Sequence, residues 1–303
     1  MALQTPHLEK LKATLQNDKL PLTDRPRLEI AIKKYYQWID DLRQVKGNQD
    51  EVIEKMIVLL NEYKIYIDVD LIFDSDEDFL YRQKGQLKLD NSIIEEFLPW
   101  LLNATLTTEK NVDIHVGPNK CFSSIYFTST INNPLPDGGL QVRTKDQDFA
   151  ISKRLFIQTS HDPEFVNASK QETHIAYIAA EIKTNLDKTM FQEACATAHD
   201  VKTAVSGSKY FLLCEWLDMT PINTATTDID EVMLLRDTKR ISSNIRAQYS
   251  TSTGRKKHRK DYITRLQKHP LRKEIFNRFI GHIMRIIEDE NPIEDDVLKN
   301  GFF

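Results

Sequence analysis

Glycine is the first scarcity. Nine glycines in 303 residues leave no Gly-rich loop and no P-loop, which excludes chemistry organised around a nucleotide cradled by backbone amides. Cysteine is nearly as rare. Cys121, Cys195 and Cys214 are widely spaced, odd in number, and form neither a CxxC pair nor a zinc-like Cys/His spacing. That excludes a disulfide framework and a zinc module, and it reads as a reduced, intracellular protein. No apolar run approaches the roughly 18 residues that span a bilayer, so no membrane is expected. The opening MALQTPHLEKLK lacks the apolar region of a secretory signal. The eight histidines are scattered, with no HExxH. Net charge is only −4, so the chain as a whole does not advertise an anionic partner.

What is present changes texture along the chain. The first hundred residues read as helices. Leu28, Ile30, Ile32, Tyr35, Tyr36, Ile39 and Leu42 recur at mostly helical intervals, as do Val52, Met56, Leu59, Leu60 and Tyr63. In NSIIEEFLPWLLNAT, Asn91 or Ser92 is the expected N-cap, with Glu95 three residues beyond Ser92 as in a capping box. Short segments rich in β-branched and aromatic residues follow: VDIHV, CFSSIYFTST, DFAIS and RLFIQTS. NNPLPDGG between them is turn chemistry, and SHDPEFVNASKQET reads as a loop. HIAYIAAEIK is a continuous apolar strand of the kind buried in a mixed or parallel sheet. A helix over Met190, Phe191, Ala194, Ala198, Val201 and Val205, stopped at Gly207, leads to two more strands, KYFLLCEW and IDEVMLLR. The expected fold is a layered α/β (α+β) architecture, with a central mixed sheet flanked by helices and a helical N-terminal part. Three regions are expected: helical 1–105, sheet-bearing 106–237, and a basic helical 238–303.

One constellation carries chemistry. Side chains alternate along a strand, so Glu181 and Lys183 share a face. Upstream, Asp148 opens the run DFAI, and a turn at Ser152-Lys153 would fold that run into a hairpin. If the hairpin pairs with the strand ending at Lys183, Asp148 sits beside Glu181. Two adjacent carboxylates repel, and a divalent cation relieves the repulsion. Oxygen-only ligation suits magnesium or manganese. Such a site supports metal-assisted phosphodiester hydrolysis, with the lysine handling water and phosphate charge. Asp162 and Glu164 in HDPEF are rival acids for the place of Asp148, which ranks first because it begins an apolar strand. As a bland alternative, Glu181 and Lys183 form an ordinary strand-end ion pair.

Asp148 in QDFAI and Glu181-Ile182-Lys183 in AAEIKTN, with a helix directly after them, resemble the PD-(D/E)xK nuclease superfamily. The resemblance implies a restriction-endonuclease-like sheet. It implies Mg²⁺ (with Mn²⁺ as a substitute) held by Asp148, Glu181 and the carbonyl of Ile182, and Lys183 as the catalytic lysine. An accessory acid from a preceding helix would be Glu95 or Glu96, and a polar residue on the following helix Gln192 or Glu193. Gln147 stands where the superfamily has proline, and the interval to Glu181 requires an inserted loop. AAEIKTNLDKTMFQEA, SKYFLLCEWLDM and DIDEVMLLRDTKR further look like the type II restriction endonuclease family that includes two-subunit enzymes cutting CCTNAGC sites. That likeness implies a cytoplasmic prokaryotic enzyme, acting as a homodimer or with a heteromeric partner subunit.

The charge balance hides a patch. Between Arg236 and Arg278, fourteen Lys or Arg residues face three acids, a net +11, so the remainder carries −15. A duplex is the natural partner of such a tract. Arg240, Arg246, Arg255, Lys256, Lys257, Arg259 and Lys260 are the expected DNA contacts. The reading is a Mg²⁺-dependent type II restriction endonuclease. A repair or junction nuclease of the same core, or a DNA-binding protein with structural carboxylates, are the alternatives.

Overall fold

The apolar stripes of the first hundred residues form helices whose buried side chains follow the helical period. In the computed structural model, which describes residues 3–106, 114–287, 294, 298–299 and 301, these are α1 (Pro6–Leu15), α2 (Arg25–Gln44), α3 (Gln49–Ile65), α4 (Phe79–Gln83) and α5 (Ser92–Thr105). Helix α3 continues into a π-helical segment, Tyr66–Phe73. Leu28, Tyr35, Ile39 and Leu42 of α2 are buried, and Trp38 stacks on Tyr63 of α3 at 4.4 Å. Ile30 and Tyr36, counted in the same stripe, are about half exposed; they fall on the flank of the buried face.

The sheet has five strands in the order β1–β2–β3–β4–β5: β1 (His115–Phe127), β2 (Leu140–Thr159), β3 (Ser169–Leu186), β4 (Lys209–Leu217) and β5 (Glu231–Leu234). The first three pair antiparallel, and β3–β4 and β4–β5 pair parallel. The parallel crossover from β3 to β4 runs through α6 (Lys188–Ala204), whose N-terminus is capped by Asp187, with Oδ1 accepting from Met190 N at 2.9 Å. Val112 and Asp113 of the expected strand VDIHV lie outside the described residues. His115 and Val116 join CFSSIYF in one strand, β1, and Ile114 precedes it. The NNPLPDGG turn holds Gly138 and Gly139 at φ +73° and +68°. A Cβ on Gly139 would meet Thr128 Oγ1 at 2.4 Å and Ser129 N at 3.0 Å, so only glycine fits.

Two local expectations are corrected. Ser152-Lys153 does not turn. β2 runs straight through it with a register irregularity between Ile151 and Ser152. The ladder to β3 continues on both sides of these residues, and a bulge bends a strand without reversing it. The capping box at α5 does not form either, and neither Asn91 nor Glu95 closes it. Ser92 Oγ instead bonds the Lys88 carbonyl at 2.5 Å and His7 Nδ1 at 2.9 Å. The reciprocal box is found at α3, between Asn48 and Glu51.

One face of the sheet (Phe149, Ile151, Ile178, Ile182, Phe211, Leu213) packs on the N-terminal helices and on α9 (Lys273–Ile287) in a single core. Phe276 and Phe279 of α9 insert between layers, with Phe276 5.7 Å from Phe97, and Phe279 5.7 Å from Phe149 and 5.4 Å from Phe211. The opposite face packs Ala150, Ala179, Tyr210 and Leu212 against Phe191, Ala194, Ala198 and Val201 of α6. Helix α7 (Ser243–Gln248) ends at Tyr249, whose ring lies 5.1 Å from Phe73, and α8 (Ser252–Lys268) packs on the π-helical segment, where Phe73 stacks on Tyr262 at 4.2 Å. Lys64 of α3 and Arg236 share the buried Glu215 carboxylate of β4 at 3.0 and 3.2 Å, and Lys64 also pairs with Asp68 at 3.1 Å.

Candidate active site

Register brings Asp148 and Glu181 together. Phe149 pairs with Ala180 and Ala150 with Ala179 across β2–β3, so the preceding and following residues, Asp148 and Glu181, are neighbours on the α6 face. The link is direct: Ile182 N–H donates to Asp148 Oδ2 at 2.9 Å. Glu181 and Lys183 share their face as alternation requires. Lys183 Nζ lies 2.6 Å from Glu181 Oε1, while Tyr210 of β4 donates its hydroxyl to Glu181 Oε2 at 3.0 Å. Asp162 and Glu164 lie in the loop at the far end of the β2–β3 pair. That loop starts eleven register steps away, roughly 35 Å at ~3.3 Å per residue. There Asp162 accepts from the Glu164 and Val166 amides in a local turn.

Helix α5 adds a carboxylate from the other side. Glu95 is buried, its Oε1 has no hydrogen-bond partner, and it lines a cleft of about 410 Å³ with Asp148, Asp146, Asn119 and Lys120. Burial first, and then the Asp148 charge, push its pKa up to about 7. Glu96 points away into the helical layer. It accepts from the His7 and Leu8 amides at 2.9 and 3.4 Å and from the Tyr35 hydroxyl. Its pKa is also raised to about 7, chiefly by burial. It pins α1 and is remote from the cleft chemistry. On α6, Gln192 and Glu193 are both exposed; Glu193 acts electrostatically on Lys183.

Burial opposes the charge on Lys183, but Glu181, Asp148 and Glu193 outweigh it and hold its pKa above the ordinary value. Burial likewise raises the pKa of Asp148, against the Ile182 amide and Lys88. Two residues that the sequence reading did not single out therefore belong to the site. Tyr210 is found from the β3–β4 register, where Ala179 pairs with Tyr210. Lys88, with Nζ 3.8 Å from Asp148 Oδ1, carries no pattern that announces it.

The donor set is all oxygen, and the orphaned Glu95 Oε1 and the Asp148 oxygen facing Lys88 are suited to a hard divalent cation. Among the described residues no three His, Cys, Asp or Glu side chains already converge as a ready-made cage. Lysines hold the carboxylates instead.

The basic tract is partly neutralised within the molecule. Arg255 is fully buried and donates to the carbonyls of Phe73, Ser75, Glu77 and Tyr249 at 2.8–3.0 Å and to Asp78 at 3.2 Å. Arg259 forks onto Asp74, Lys256 pairs with Asp76 at 2.6 Å, and Arg240 with Asp218 at 2.8 Å. Arg246 is half-buried, and Lys257 and Lys260 are exposed. No helix among the described residues is long and apolar enough to cross a membrane.

Comparison with known proteins bears on the fold and the family. A chain of the native BbvCI A2B2 tetramer, solved at low resolution, superposes with a TM-score of 0.61 at 18% identity, covering 96% of this chain and 100% of that one. At that identity the likeness establishes the fold. No curated protein sequence matches significantly. The family model described as Bpu10I restriction endonuclease matches residues 86–303, a span that includes Glu95, Asp148, Glu181 and Lys183. With well over half of its length matched, the chain belongs to the Bpu10I restriction endonuclease family.

Proposed function

We propose that this restriction endonuclease is a Mg²⁺-dependent type II enzyme that hydrolyses phosphodiesters of duplex DNA at a short specific sequence. The observation that carries the reading is the Asp148–Ile182–Glu181–Lys183 cluster, in which a backbone amide ties the two carboxylate strands together. Asp148, Glu181 and the Ile182 carbonyl would hold the cation, with Glu95 reaching in from α5. Once bound, the cation supplies Lewis acidity toward a phosphoryl oxygen and makes water more acidic. Lys183, kept protonated by its acidic neighbours, orients the attacking water and stabilises negative charge on the phosphate. Tyr210 holds Glu181 in place from β4. Glu193, acting on Lys183 from α6, is the accessory polar residue of the following helix.

One such site serves one strand. Cutting both strands calls for a second copy or a homologous partner subunit, and the fold relative BbvCI is an A2B2 tetramer. In this reading region 1–105 contributes recognition or subunit contacts, 106–237 is the nuclease core, and 238–303 contacts the duplex through its basic helices α7 and α8, while α9 belongs to the core. Lys256, Lys257, Lys260, Arg240 and Arg246 are its phosphate contacts, with Arg259 beside them and Arg255 as their buried anchor. The enzyme would work in the cytoplasm. Incubation with phage DNA and Mg²⁺, followed by sequencing of the ends, tests the reading. Discrete ends at one motif that vanish with EDTA are expected. Structure-dependent nicks, or cleavage insensitive to EDTA, would refute it.

A further inference from the structure

We propose that Lys88 is a second active-site lysine, the counter-ion of the metal-free carboxylates, which passes to a DNA phosphate when a divalent cation takes its place. The inference rests on the metal reading of Asp148 given above. Lys88 adopts the left-handed backbone conformation, φ +52°, that lysine rarely occupies. The surrounding structure enforces it. Its carbonyl is held by Ser92 Oγ at 2.5 Å, Ser92 is bonded in turn to His7, and the Lys88 amide donates to the Gly85 carbonyl at 3.3 Å. With the Leu89 amide donating to the Lys84 carbonyl at 3.2 Å, these bonds form a Schellman cap in which Lys88 is the left-handed residue, and the cap fixes where its side chain starts.

The consequence is the aim of the side chain. Ile182 N–H occupies Asp148 Oδ2, and Lys88 Nζ stands 3.8 Å from Oδ1, the oxygen left for a cation. Glu95, seven residues further along the same segment, sits beside it with an unpartnered buried oxygen. Lys88 and a divalent ion would therefore compete for one oxygen. The two lysines differ in how firmly they are held. Lys183 is bound at 2.6 Å to Glu181 and 25% exposed, whereas Lys88 is 46% exposed and loosely paired. Lys88 can leave, Lys183 stays, and the displaced ammonium remains next to Asp148, which lines the cleft, where the incoming anion is the DNA backbone. An exposed ion pair of this length stabilises little by itself, so its displacement is cheap and the residue is placed for exchange rather than for stability.

The test uses Lys88→Met and, because the backbone is strained, Lys88→Gly, which removes the charge and relieves the strain together. Mn²⁺ binding to the DNA-free protein, read by electron paramagnetic resonance, is expected to tighten roughly three- to tenfold in both. That is the effect of removing one positive charge about 6 Å from a divalent ion at near-aqueous screening. The maximal rate of cleaving a phage genome that the wild type cuts should fall about 10–100-fold, while the Mg²⁺ concentration giving half that rate also falls. Lys88→Arg should restore both. A merely structural lysine would not lower the metal requirement while slowing the reaction. Unchanged Mn²⁺ affinity in both neutral variants, or slower cleavage with an unchanged or higher Mg²⁺ requirement, overturns the proposal. Asp148→Asn separates the two levels. If it loses Mn²⁺ binding while Lys88→Met leaves affinity unaltered, the Lys88 inference alone fails. If Asp148→Asn binds Mn²⁺ like wild type, the metal reading falls, and the inference with it.

Discussion

Replacing Glu95 by glutamine removes a charge that the fold does not solvate. Its pKa rises from 4.5 to about 7, first through burial and then through the Asp148 charge. A raised carboxyl pKa means that the protonated form favours the folded state. That contribution is complete below about 4.5, where both folded and unfolded chains hold the proton, and is lost as pH rises through about 7. Raising the carboxyl from 4.5 to about 7 corresponds to roughly 3 kcal/mol. Glu95→Gln keeps the shape and stays neutral. In urea unfolding with EDTA present, the variant should gain about 1–3 kcal/mol over wild type at pH 8 and almost nothing at pH 4. Adding Mn²⁺ at pH 8 should narrow the gap, because only the wild type gains a ligand there. The same variant should cleave DNA more slowly. Equal stability differences at both pH values, or a variant less stable than wild type at pH 8, would refute the argument that Glu95 is a buried charge awaiting a counter-ion.

Lys183→Ala should reduce cleavage about 10²–10³-fold while salt-sensitive binding to a random duplex persists; parallel loss of binding would argue for a structural lysine. Arg255→Met should destabilise the protein by about 3–5 kcal/mol in urea unfolding, because four carbonyls and Asp78 lose their donor. Lys257→Ala with Lys260→Ala should instead leave stability within about 0.5 kcal/mol and lower the salt slope of DNA binding by up to about 1.8. Gly139→Ala should cost about 1–3 kcal/mol, read as a lowered melting temperature, because its φ is +68° and its new methyl would meet Thr128 and Ser129.

The site was legible where chemistry follows the strand period. Alternation alone places Glu181 and Lys183 on one face, and ladder pairing then brings Asp148 to them. The sheet was legible for the same reason, apart from the supposed turn at Ser152, where a bulge imitates a boundary. What stayed hidden depends on partners far away in sequence. Ser92 has the residue type of a capping-box N-cap, but His7, 85 positions earlier, changes what its hydroxyl does. The basic tract reads as one DNA-facing run, yet Arg255 and Arg259 answer to residues 73–78, which no local window includes. Lys88 was invisible because a left-handed lysine has no compositional signature.

The threading of Phe276 and Phe279 between the sheet and α5 has a consequence for biosynthesis. The ribosome completes Lys183 roughly ninety residues before these rings emerge. Until they do, Phe97, Phe149 and Phe211 lack the neighbours that close their core. A nascent chain can thus carry every acid and lysine of the candidate site without the packing that holds them in register. The packing that fixes the candidate site therefore waits on α9, so ordering of that site is an event late in synthesis and not one that accompanies the emergence of its residues.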